Sequence, residues 1–147
     1  MSILGQLSAY FGGGVLFVGD NESDAGEDLG ESGDHPLLDV GKSQMVVQVQ
    51  NGAAEGATTV RVAAVAVDDP VGPVVFDGTI RISSGLLRVG DGLDLAVLRF
   101  YVPVGDLPVQ IHVNAADQED LRSPEFVDIV LPKYGRLVMR PDGSLSG

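Results

Sequence analysis

The sequence predicts an all-β fold, an antiparallel β-sandwich of about eight to nine short strands, on three grounds. Strand-like segments recur at roughly ten-residue spacing between Gly, Pro, Asn and Asp punctuation, as sandwiches and barrels do. Several of these segments alternate apolar and polar residues with a period of two. No stretch carries the helical period of an amphipathic α-helix.

In chain order, Val15 to Val18 is a short apolar run closed by Gly19-Asp20. The Gly12–Gly14 run ahead of it reads as a bulge or flexible lead-in, since a phosphate loop would need a strand before it and a helix after it. A polar interruption from Asp20 to Lys42 follows. Gln44 to Gln50 then sets Met45, Val47 and Val49 on one side, the pattern of a strand with one wet face. Thr58 to Val67 is apolar on both faces and reads as a central strand. Asp68 to Pro73 is a loop, because Pro blocks both helix continuation and ladder bonding.

Val74–Phe76 and Thr79–Ser83 are expected to be separate strands joined by an Asp77-Gly78 turn. Leu86–Val89 and Leu93–Val102 flank Gly90-Asp91-Gly92, the clearest hairpin signal. Val109, Ile111 and Val113 alternate with Gln110, His112 and Asn114 after a Pro103–Pro108 turn. A second acidic loop, Asn114 to Pro124, leads into Val127, Ile129 and Leu131, and Leu137–Met139 is the last expected strand. Residues 1–140 read as one sandwich domain with an acidic loop at 20–42, and 141–147 as a flexible C-terminal tail.

Composition narrows the function classes. The chain has 147 residues, 21 acids against 9 bases, and no Cys or Trp. Without Cys there is no disulfide scaffold, zinc–cysteine site or thiol catalysis. A formal charge of −12 excludes nucleic acid and anionic membrane as expected partners, because both are held by clustered Lys and Arg. Basic proteins and cations are favoured instead. No basic n-region precedes the apolar N-terminal stretch and no run approaches the roughly 20 apolar residues of a spanning helix, so the expectation is a cytoplasmic protein. Fifteen of the acids are Asp and seven of the bases are Arg, a bias that salt adaptation or a GC-rich genome would also produce.

The charge is concentrated. Asp20, Glu22, Asp24, Glu27, Asp28, Glu31, Asp34 and Asp39 put eight acids in one stretch with no base among them. Asp20, Glu22, Asp24, Asp28 and Glu31 fall at positions 1, 3, 5, 9 and 12 of a calcium-loop spacing, but Ala25 stands where the sharp turn needs Gly. Calcium is therefore an alternative ligand and no cofactor is otherwise expected. A solvated loop, or a docking surface for a basic partner, uses the same residues without that geometry. Asp20, Glu22, Asp24, Glu27, Asp28 and Glu31, with Asp117, Glu119 and Asp120 of the second acidic loop, form the expected partner-binding set.

Catalytic constellations are not expected. The two histidines, His35 in the acidic loop and His112 on a wet strand face, have no Gly-x-Ser-x-Gly elbow to serve. Acid pairs such as Asp68 with Asp69 lie in loops where water keeps carboxylates ionised, unlike a general acid raised by apolar burial.

Several features together resemble the competence nuclease inhibitor family, the ComJ-like proteins. They are an early strand ending in an acid (Val15 to Asp20), a polar acidic excursion, and strand Gln44–Gln50. Phe76 to Gly85, the Pro103-Val104-Gly105 turn into Val109–Asn114, and the acidic loop before the last core strand (Asp117 to Leu131) complete the set. The resemblance implies a sandwich that blocks a basic nuclease with an acidic face, and it assigns no individual residues. The expected function is thus a non-enzymatic acidic binding protein, an inhibitor or immunity-like antitoxin of a basic nuclease or toxin. The alternatives are a calcium-binding module and a salt-adapted structural or assembly subunit, a homo-oligomer.

Overall fold

The computed structural model describes residues 2–22, 31–32, 38–50, 56–65, 69–92, 95–114, 124–133, 138–139 and 145–146. They form a two-sheet β-sandwich. One sheet has six strands: β3 (Glu31–Ser32), β4 (Leu38–Val40), β5 (Gln44–Gln48), β2 (Val15–Asp20), β8 (Leu86–Gly90) and β9 (Val97–Tyr101), in that spatial order. The other has five, in the order β1 (Ser2–Ala9), β6 (Thr58–Ala64), β11 (Phe126–Leu131), β10 (Gly105–Val113) and β7 (Val74–Ile82). A separate two-stranded ladder pairs β12 (Val138–Met139) with β13 (Leu145–Ser146).

Period-two alternation builds the core between the sheets. Leu16 and Val18 of β2, Met45 and Val47 of β5, and Leu87 and Val89 of β8 point inward from the first sheet, all fully buried. They meet Val60 and Val62 of β6, Val109 and Ile111 of β10, and Val127 and Ile129 of β11. The expected wet face of β5 is only half realised, because Val46 and Gln44 are also buried and Gln48 alone is exposed.

Four local expectations change. Val74–Ile82 is one continuous strand, with Gly78 opposite Val109 in the ladder, so Asp77-Gly78 is no turn. Its Gly is shielded by its own neighbour: a Cβ there would lie 2.9 Å from Cζ of Phe76, whose ring occupies the space a side chain would take. β10 begins at Gly105 and contains Pro108, which lies in the half of the strand that pairs with β7 alone, before the β11 ladder starts at Gln110. β6 ends at Ala64 because Val65 adopts a left-handed φ of 70°. Finally, one pairing departs from the antiparallel rule: β11 runs parallel to β6 along its whole length.

β1 escapes the alternation test because Gly5, Gln6 and Ser8 interrupt it and, among the described strands, it pairs with β6 alone. Gly5 faces inward where β1 meets β9 of the opposite sheet, and a Cβ there would sit 3.0 Å from the Phe100 ring. The Gly12–Gly14 run forms a single 3-10 turn, with Gly13 at φ 73°. The β8–β9 hairpin is present with a longer connection, in which Asp91 accepts a hydrogen bond from the Leu95 amide at 3.0 Å.

Gly19 marks a close inter-strand approach on the six-stranded sheet, since a Cβ there would lie 2.5 Å from the Gln44 Cα. Gly19→Ala should therefore lower the urea-denaturation stability by about 1–3 kcal/mol, the cost of overpacking against backbone. Gly12→Ala, with nothing within 4 Å of its Cβ position, should stay within about 0.5 kcal/mol of the parent.

Candidate functional site

Two carboxylates that the sequence does not single out as structural organise the functional surfaces. The first is Asp20, at the end of β2. Its side chain turns inward and is only 4% exposed. Oδ2 accepts from the Ser83 amide at 3.1 Å and from the Ser83 hydroxyl at 2.5 Å, while Oδ1 accepts from the Ser84 amide at 3.2 Å and the Ser84 hydroxyl. Ser83-Ser84-Gly85 is the corner at which the chain passes from β7 in one sheet to β8 in the other, with Gly85 at φ 77°. Burial alone would raise the Asp20 pKa, but the hydrogen bonds from Ser83 and Ser84 outweigh it and hold it below the ordinary carboxylate value.

The second is Asp128, on the outer face of β11 and fully buried. Arg61, its direct neighbour on β6, grips it with two parallel bonds, Nε to Oδ1 at 2.6 Å and Nη2 to Oδ2 at 2.7 Å. The Val71 amide donates to the same Oδ2 at 3.0 Å, and Arg61 Nη2 also reaches the Asp69 carbonyl at 3.3 Å. The hydrogen bonding that Arg61 donates to Asp128 is the chief cause of its raised pKa; burial opposes it, and the charges of Asp128 and Asp69 add to it.

These bonds hold down the β6–β7 connection, which crosses the outside of the five-stranded sheet. β6 and β7 run the same way at positions three apart in the sheet order, so the chain must return from the end of one to the start of the other. Val65 begins the return with its amide on the Leu131 carbonyl. Farther along, the His112 ring donates through Nδ1 to the Gly72 carbonyl at 2.9 Å, and the Val113 amide donates to the Pro73 carbonyl. His112, expected to be a solvated strand residue, is instead half-buried under this strap. Gly72 is obligatory at the crossing, since a Cβ would lie 2.1 Å from the Val113 carbonyl oxygen.

Between the strap and the sheet lies an open depression of about 550 Å³ lined by Gln6, Thr59, Arg61, Asp69, Pro70, Val71, Phe126 and Asp128. Its lip, Phe126, is 40% exposed.

The expected partner-binding acids separate in space. Asp20 is a correction: its oxygens are taken by Ser83 and Ser84, so it anchors the start of the first acidic segment and presents no free carboxylate to a partner or a cation. Glu22 is exposed beside it. Asp24, Glu27, Asp28, Asp34 and His35 lie outside the described residues, as do Asp117, Glu119 and Asp120, and the Glu31 side chain is not described although its backbone pairs with Val40. The second segment is latched at its base by Asn114, whose Oδ1 accepts from the amides of Glu125 and Phe126 at 3.0 Å each. Asp20 stands at the Ile82–Gly105 end of the sandwich and Asn114 at the other, so the nine residues of β10 separate the two anchor points by roughly 30 Å. No group of three or more His, Asp or Glu suited to a metal ion occurs among the described residues, nor does any helix there have the length and apolarity to cross a membrane.

No family profile matches the chain, and no curated protein does. Among solved structures it is similar in fold to the crystal structure of ComJ, inhibitor of the DNA degrading activity of NucA, from Bacillus subtilis. That match has a TM-score of 0.58 at 8% identity and covers 88% of this chain and 97% of that one. A second match, Crocagin biosynthetic gene J, has a TM-score of 0.49 at 15% identity over 88% of this chain and 98% of that one.

Two outcomes follow from the buried acids. Asp128→Ala leaves Arg61 and the Val71 amide without their acceptor, and should destabilise by about 1–3 kcal/mol in chemical denaturation, the cost of stranding part-buried donors. Asp20 has a folded pKa below its unfolded value near 3.9, so its stabilisation is complete above that pH and disappears as pH falls through the folded pKa. The stability gap between parent and Asp20→Asn, followed by urea midpoints, should accordingly be full at pH 6 and shrink progressively below about pH 4.

Proposed function

We propose that this protein is a non-enzymatic inhibitor or immunity-like antitoxin that acts in the cytoplasm by occupying a basic nuclease or toxin in place of its polyanionic substrate. The observation that carries this reading is the distribution of charge. Beyond the buried Asp20, seven of the 21 acids fall between Glu22 and Asp39 and three more between Asp117 and Asp120, and each segment leaves the sandwich from a hydrogen-bonded anchor. A rigid scaffold with acid-rich connections offers a basic protein a complementary field, which accelerates encounter and selects partners. The fold likeness to ComJ, a protein that inhibits the DNA degrading activity of NucA, supports the same reading.

The test is kinetic. With Glu22, Asp24, Glu27, Asp28, Glu31, Asp117, Glu119 and Asp120 replaced together by their amides, the association rate with a basic nuclease that the parent protein inhibits should fall about tenfold or more at low salt, and inhibition of DNA cleavage should weaken with it. An unchanged rate and unchanged inhibition would refute the proposal.

A further inference from the structure

We infer that the depression between the strap and the outer face of β1, β6 and β11 receives a long basic side chain, Lys or Arg, of the partner protein. The inference rests on the basic partner proposed above and assigns that partner a second contact, outside the acidic segments.

The charge balance of the depression selects the occupant. Asp69 and Asp128 line it together with one cation, Arg61, on which the charges of both carboxylates act. Both oxygens of Asp128 are taken, by Arg61 and by the Val71 amide. Arg61 in turn is held to Asp128 and to the Asp69 carbonyl. The exposed Asp69 carboxylate therefore remains as the charged acceptor open to a newcomer. An incoming anion would meet a net negative site, and a purely apolar group would strip water from a charged floor. A basic side chain meets neither obstacle: its head reaches Asp69, and its stem lies along Pro70 and the Phe126 ring, whose face attracts a cation.

Position supports the same occupant. Phe126 is both the lip of the depression and one of the two amides latched by Asn114. The depression thus adjoins the point at which the segment carrying Asp117, Glu119 and Asp120 rejoins the sandwich. Glu22 and the first acidic segment leave from the opposite end. The strap wall is fixed rather than adaptable, because Asp128, His112 and Val113 hold it at three points.

The probe is the tripeptide acetyl-Gly-Arg-Gly-amide, with its Lys and Glu counterparts, titrated at low ionic strength into isotope-labelled protein and followed by amide chemical shifts. Saturable shifts at Gln6, Thr59, Val71 and Phe126 are expected with the Arg or Lys peptide and not with the Glu peptide. Asp69→Asn should weaken binding about threefold, the scale of an exposed ion pair, and Phe126→Ala by a similar factor, while the spectrum of each variant reports an intact fold. Equal shifts with the Glu peptide, no shifts at these amides, or binding that survives both substitutions would overturn the inference. If the shifts are absent while neutralising the acidic segments still slows association with a nuclease, the inference fails alone. If the shifts occur and neutralisation changes nothing, the broader proposal fails and the site stands.

Discussion

The fold turns on one ion pair with a fully buried carboxylate. Arg61 and Asp128 lie side by side on β6 and β11, the single parallel pairing of the five-stranded sheet. A parallel pair cannot be closed by a hairpin, and here the connections around it include a strap whose described residues, 69–73, lie across the outer sheet face and form no helix to satisfy their own backbone. Such a segment needs partners for its amides and carbonyls. Asp128 supplies one to Val71, Arg61 to Asp69, His112 to Gly72 and Val113 to Pro73. Taking Asp128 out of water is costly, and three donors on its two oxygens offset that cost. Removing either partner would leave the other uncompensated.

Asp20 solves a related problem on the other side of the sandwich. The chain changes sheets at Ser83-Ser84, and a corner leaves amides outside both ladders. Asp20 receives two amides and two hydroxyls there and ties β2 to the corner. In a protein with a charge of −12, these two acids work inward. Arg61 cancels Asp128 within that sum, whereas Asp20 adds to the formal charge without presenting a carboxylate at the surface.

Alternation made most of the sandwich legible, because it records one-sided burial directly: Met45, Val47 and Val49, or Val109, Ile111 and Val113, face the core as their spacing requires. What alternation cannot record is which strand lies beside which. Thr58 to Ala64 and Phe126 to Leu131 are apolar enough to be central, but nothing local distinguishes a parallel neighbour from an antiparallel one. Asp77-Gly78 misled because turn propensity is local, whereas Phe76 covers the glycine within a strand whose register is set by β10. Asp128 was visible only as the polar member of an alternating strand, and Arg61 as an interruption of an apolar one. The signal that could have joined them is that each is a lone charge inside an otherwise apolar central strand, where an unpaired charge would be prohibitive. Asp20 looked like the first acid of a solvated run because its partners, two serines more than 60 positions away, give no local sign.

The separation of the two acidic anchors bears on how a partner sits. A standard interface covers about 800 Å² on each side, equivalent to a disc roughly 32 Å across, so one that reached both anchors would have to be centred on the flank of the sandwich with each acidic base at its rim. Rim charges steer encounter but contribute little once the complex has formed. At physiological ionic strength charges are screened over about 8 Å, so an acidic segment at the far end adds little to a complex centred on the other. The two ends are not equivalent as docking platforms. The Asp20 end carries a carboxylate saturated by Ser83 and Ser84, whereas the Asn114 end adjoins the hydrogen-bonded residues 69–73, an exposed aromatic ring and an exposed carboxylate. Affinity comes from such fixed, partly desolvated contacts more than from diffuse charge, so under the proposed inhibitor reading the centre of a partner interface would fall on the outer face of β6 and β11, and the acids from Glu22 to Asp39 would act through the field they cast.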